Sequence, residues 1–126
     1  MRYPIRSEAD LARLAVEGLP LRAFGAMQAA GFSDHELSAV IPPRTLRHRI
    51  QKKQPLSTVE TERALRLLSI KLQAELTLEG KEKARIWLRK SIGLLDGMTP
   101  LEAAQNEHGA EVVREMLTNL AGGGAA

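Results

Sequence analysis

Apolar residues along this chain recur three and four positions apart instead of alternating, and that spacing predicts helices from end to end. Leu11, Leu14 and Ala15 share one face of a first helix, which Ser7 is placed to cap and Gly18 to stop. A second helix is expected over about 21–30, with Phe24 and Met27 inward and Gly31 closing it. Ser33 and Glu36 have capping-box spacing and open a third helix over 33–40 that turns Leu37 and Val40 inward. Ile41-Pro42-Pro43 then forces a sharp turn, because the residue before a proline avoids helical geometry while proline itself suits a helix start. A short helix resumes over 43–51.

Lys53-Gln54-Pro55 breaks the chain again. Ser57 and Glu60 repeat the capping-box spacing and open a long helix to about Leu78, with Leu65, Leu68, Leu72 and Leu76 as one apolar stripe. Gly80 stops it, and a helix carrying Ile86 and Trp87 follows over 81–90. Gly93 and Gly97 punctuate a loop, with Gly97 expected at positive φ. Thr99-Pro100 reads as N-cap and first position of a short helix to about Gln105. Gly109, at a junction or close approach, precedes a last helix holding Val112, Val113, Met116 and Leu117. The fold class is all-α: a helix-turn-helix bundle over 1–77, with helix 57–78 as connector, followed by a small helical domain over 78–126.

Composition narrows the chemistry. At 126 residues the chain is long enough to bury a core without metal or disulfide support. It has no cysteine, which removes thiolate metal sites, a thiol nucleophile and disulfides. No apolar stretch resembles a signal peptide or a membrane span, so a cytoplasmic location without membrane contact is expected. His35, His48 and His108 lie far apart, off any metal spacing, and no phosphate-binding glycine loop or nucleophile–base pattern is present. Neither catalytic residues nor a cofactor are expected, and the chain does not read as an enzyme.

Charge changes the picture more than composition does. Arg44, Arg47, Arg49, Lys52 and Lys53 fall in one ten-residue stretch free of acids, although the whole chain is only +3, so the remainder is net negative. Local basicity of this kind suits a large anion, nucleic acid above all, although a charge run is often only a solvated face. Two short helices joined by a tight turn, the second one basic, outline a helix-turn-helix. Wound at about 100° per residue, Leu46 and Ile50 fall together and are expected to face the core. Arg44, His48, Gln51 and Lys52 then oppose them, with Thr45, Arg47 and Arg49 on the flanks. Together with Lys53 these eight residues are the expected DNA contacts, to phosphate oxygens and, for arginine, to guanine edges. The preceding helix would brace the reader.

The run Val40-Ile41-Pro42-Pro43-Arg44-Thr45-Leu46-Arg47-His48-Arg49, followed by Pro55-Leu56-Ser57 and Glu60 to Arg66, resembles the Xre-type antitoxin helix-turn-helix. Downstream, Trp87-Leu88, Leu95 to Leu101, Gly109-Ala110, Val113 and Leu117 resemble the Xre/MbcA/ParS toxin-binding domain, with Ser91 standing where that family would place a proline. Trp87 and Leu88 read physically as core anchors. The resemblance spans about residues 18–123. It implies an antitoxin of a type II system that covers the active site of a RES-domain, NAD-consuming toxin and represses its own operon by binding operator DNA. It also implies that residues 78–126 bind the toxin. Asn119, Gly122, Gly123 and Gly124 of the tail, together with the helical face of Glu111, Arg114 and Glu115, are the implied contacts. Paired half-sites make a homodimer the expected form. A pure protein inhibitor and a stand-alone transcriptional regulator are the alternatives.

Overall fold

A computed structural model describes residues 7–122 of the chain. Its elements are α1 (Glu8–Glu17), α2 (Arg22–Ala29), α3 (Asp34–Leu37), α4 (Pro43–Lys52), α5 (Thr58–Thr77), α6 (Lys81–Leu88), a 3₁₀ turn (Gly93–Leu95), α7 (Pro100–Ala103) and α8 (Glu107–Ala121). Among the described residues there is no strand, and the chain is all-α, a helix-turn-helix domain followed by a C-terminal helical domain. It divides into two compact units, one up to Leu65 and the other from Arg66.

Side-chain caps set the helix starts. Ser7 accepts from the Asp10 amide, and Ser33 with Glu36 and Thr99 with Glu102 form complete capping boxes. Ser57 with Glu60 does the same at the start of α5, at 3.1 and 2.8 Å. Each such box supplies partners to backbone groups that a helix end leaves orphaned. Gly18 ends α1 at φ +88°. At the last helix the sequence reading is corrected. Asn106 is the N-cap, accepting from the Gly109 amide at 2.8 Å, so Gly109 lies inside the first turn of α8 and not ahead of it. The reason a glycine stands there is steric: a Cβ would sit 1.8 Å from the Ala103 carbonyl oxygen.

In the first unit, Leu19, Met27, Val40 and Ile41 are the most enclosed large side chains. In the second unit, α7 packs against both α6 and α8, and Leu88, Val113 and Leu117 are fully enclosed. Arg66 Nη1 donates to the Gln105 carbonyl at 2.9 Å, and Gln73 Nε2 to the Arg114 carbonyl at 3.2 Å. The loop after α6 closes on itself: the Ser91 hydroxyl donates to the Gly97 carbonyl, the Ile92 amide to the Met98 carbonyl, and Gly97 takes φ +86° as expected.

Two expectations about packing fail. The α5 stripe holds at Leu65 and Leu68 but not at Leu76, which is 75% exposed; Ile70 and Ala74 turn inward there instead. Leucines occur on more than one side of this helix, so their spacing alone does not select a face. Trp87 is only half-buried, while its neighbours Ala84 and Leu88 are the buried residues of α6.

Candidate functional site

Helix α4 begins at Pro43 directly after an extended Pro42, and ends at Lys53 in the left-handed region with φ +55°. None of its residues is fully buried. Thr45, Leu46 and Arg49 are its half-buried residues, while Arg44, Arg47, His48, Ile50, Gln51 and Lys52 are exposed, as is Lys53 beyond it. On a helical wheel the inward side is therefore centred between Thr45 and Leu46, about a fifth of a turn away from the direction drawn from the apolar pair. Ile50, expected in the core, is 57% exposed.

An ion pair accounts for this rotation. Arg49 Nε donates to Glu60 Oε1 at 3.1 Å and its Nη2 to Oε2 at 2.9 Å, a two-pronged contact between α4 and the first turn of α5. Glu60 is only 7% exposed, and its Oε1 also accepts the Ser57 amide at 2.8 Å. Burial pushes the Glu60 carboxyl upward, but the Arg49 hydrogen bond, the Ser57 amide and the Arg49 charge together hold it below its ordinary value. A planar guanidinium matched to a carboxylate needs its helix turned toward the partner. With Arg49 inward, Ile50, one residue on, is carried outward.

Two further α5 side chains hold the same unit. The buried Thr61 hydroxyl accepts the Leu19 amide at 3.3 Å, and Arg63 Nη1 donates at 3.3 Å to the carbonyl of buried Val40 at the turn between α3 and α4. Sequence reasoning placed Thr61 and Arg63 in the family-like run without giving either a contact, and gave Glu60 no role beyond that run and the cap. The one available signal was an acid in the first turn of a helix that follows a basic one.

Of the eight expected DNA contacts, the structure brings Arg44, Arg47, His48 and Gln51 together on the outward side of α4, with Lys52 and Lys53 at its end and Thr45 half-buried at the edge. Among the described residues no hydrogen bond or ion pair engages the Arg44, Arg47, Lys52 or Lys53 side chains, whereas Arg49 is committed to Glu60. The arrangement is a cationic face whose donors are not used internally. It is suited to phosphate oxygens and base edges.

On α8, Ala110, Val113 and Leu117 are buried, and Glu111, Glu115 and Asn119 stand exposed. Arg114 is half-buried and bound to Glu107 at 3.3 Å. Gly122 is exposed at the C-cap; Gly123 and Gly124 lie outside the described residues. Among the described residues there is no cluster able to hold a metal ion, and no helix long and apolar enough to cross a membrane.

Comparison with known proteins adds two family matches and a relative. The model of the antitoxin Xre-like helix-turn-helix domain matches residues 10–69, and that of the antitoxin Xre/MbcA/ParS C-terminal toxin-binding domain matches residues 73–123. Antitoxin Xre of Pseudomonas putida (strain KT2440) is 36% identical over 88 residues, a match covering 70% of this chain and 55% of that protein. The chain thus spans about half the length of the curated relative.

Proposed function

The chain belongs to the Xre-type antitoxin family, which is not an enzyme family, and from this premise we propose that it neutralises a cognate toxin by direct binding and represses its own operon through α4. The observation that carries the DNA half is the outward face of Arg44, Arg47, His48 and Gln51, continued by Lys52 and Lys53: acid-free, exposed and with its arginines and lysines unengaged among the described residues. Thr45 lies at its edge, and Arg49 serves it indirectly by fixing the helix phase. As a homodimer the protein reads two half-sites.

The toxin half is assigned to residues 78–126. The match to a toxin-binding domain over 73–123 supports it. Glu111, Glu115 and Asn119 are its exposed polar contacts, with Arg114 at the margin and the glycines from Gly122 to Gly124 leading into the toxin. The partner is a RES-domain toxin that consumes NAD. The protein acts in the cytoplasm.

Two measurements test this reading. The first is titration of duplex DNA from upstream of the chain's own reading frame, at two salt concentrations. Log affinity falls with log salt at about 0.9 per phosphate contact, and a flat response removes the DNA half. The second is co-expression with the adjacent reading frame. Rescue from toxicity together with co-purification is expected, and a lack of both removes the toxin half.

A further inference from the structure

Ile50 is a large β-branched side chain, 57% exposed, on the helix that carries the cationic face. A single exposed aliphatic residue is ordinary on a protein surface. Its setting here is not. The wheel of α4 puts Ile50 beside Arg47, one turn earlier, and next in sequence to Gln51. The Arg49–Glu60 pair fixes the rotation, so Ile50 cannot turn inward without breaking two charge-assisted hydrogen bonds. An apolar group is thus held rigidly among side chains suited to guanine and adenine edges.

In the major groove one base-pair feature is apolar: the C5 methyl of thymine. Charge complementarity between an acid-free cationic face and a polyanion selects duplex DNA as the occupant of this surface. A ten-residue helix is about 15 Å long, enough for a residue near its C-terminal end to reach the groove floor when the helix lies along it. We infer that Ile50 is a specificity-determining residue that packs on a thymine methyl beside the bases met by Arg47 and Gln51. The inference rests on the proposed DNA reading by α4 and goes beyond it by assigning recognition to a residue with no polar atom in its side chain.

The test uses the full chain and uracil, which differs from thymine only in lacking that methyl. Wild type first enriches a sequence from a pool of randomised DNA duplexes. The enriched duplex is then titrated with wild type, Ile50→Val and Ile50→Ala, with each thymine of a half-site replaced in turn by uracil. At one position wild type loses about fourfold per half-site, the worth of burying one methyl-sized group. Ile50→Ala binds the thymine and uracil forms equally, and Ile50→Val keeps part of the preference. Melting temperatures of both variants stay at the wild-type value, because the side chain is exposed.

An Ile50→Ala protein that retains the full thymine preference overturns the inference while leaving the DNA reading intact. Conversion of a dimer to a monomer by Ile50→Ala overturns it too, by placing Ile50 in a protein interface. If wild type enriches no sequence, the DNA reading itself fails and takes this inference with it, an outcome distinct from both others.

Discussion

Replacing Arg49 by alanine separates two roles that its charge could serve, a phosphate contact on the surface or an anchor inside the domain. The geometry assigns the second: two hydrogen bonds at 3.1 and 2.9 Å to the carboxylate of a buried glutamate. Removing one partner of a buried pair costs about 3–5 kcal/mol when nothing replaces it. Here the arginine side chain is 22% exposed, so water reaches part of the vacated space. Glu60 Oε1 also keeps the Ser57 amide. The loss therefore falls to about 2–3 kcal/mol, or on the order of 10 °C in melting temperature for a chain of this size.

Acid gives the distinguishing readout. A carboxyl held below its ordinary value of 4.5 in the folded state stabilises the fold above that pH, and the contribution fades as pH falls through the lower folded value. In Arg49→Ala the burial of Glu60 is opposed only by the Ser57 groups, so the folded carboxyl titrates higher than in wild type. Thermal melts followed by circular dichroism should show a large gap between wild type and Arg49→Ala near neutral pH and a smaller one in acid, as pH falls below 4.5 toward the lowered folded value of Glu60. Suppose instead that Arg49→Ala melts with wild type at both pH values while its DNA affinity drops as far as that of Arg44→Ala. The guanidinium would then be a surface contact, and the phase assigned to α4 would be wrong.

Three further outcomes follow from other parts of the structure. Gly109→Ala forces a methyl into the Ala103 carbonyl, 1.8 Å away, and should cost about 3 kcal/mol or more, read as an early denaturant midpoint. The pair Arg44→Ala and Arg47→Ala should weaken duplex binding and flatten its salt dependence by about 0.9 for each phosphate that the variant no longer neutralises, with melting unchanged because both side chains are exposed. Glu111→Ala with Glu115→Ala should lower toxin affinity in calorimetric titration by roughly tenfold or more, equivalent to about 1.4 kcal/mol, while stability shifts by less than about 0.5 kcal/mol.

Much of the fold was legible because its signals are local. Ser33 with Glu36, Ser57 with Glu60 and Thr99 with Pro100 each mark a helix start through residues three or fewer positions apart, and all three stand in the structure. What escaped was whatever depends on a distant partner. The phase of α4 is set by Arg49 meeting Glu60 eleven positions away, and an apolar pair, Leu46 and Ile50, pointed elsewhere. Asn106 as the cap of α8 was hidden behind Gly109, a stronger helix-boundary residue whose real constraint is the nearby Ala103 carbonyl. At the candidate site the cationic stretch was plain in the sequence, but its division into outward donors and one inward anchor required the tertiary contact.

Glu60 is used two ways at once, both from a buried position: it completes the cap of α5 and receives Arg49 from α4. A group shared between two helix ends ties their fates together. When α4 frays or swings away from the unit, the first turn of α5 is deprived of its charge partner and left with a buried carboxylate, so it opens as well. Backbone amides at the end of α4 and at the start of α5 should therefore exchange their hydrogens as one cooperative unit, with a common opening free energy. The cationic face of α4 is thus stiff at the end where most exposed helices are loosest.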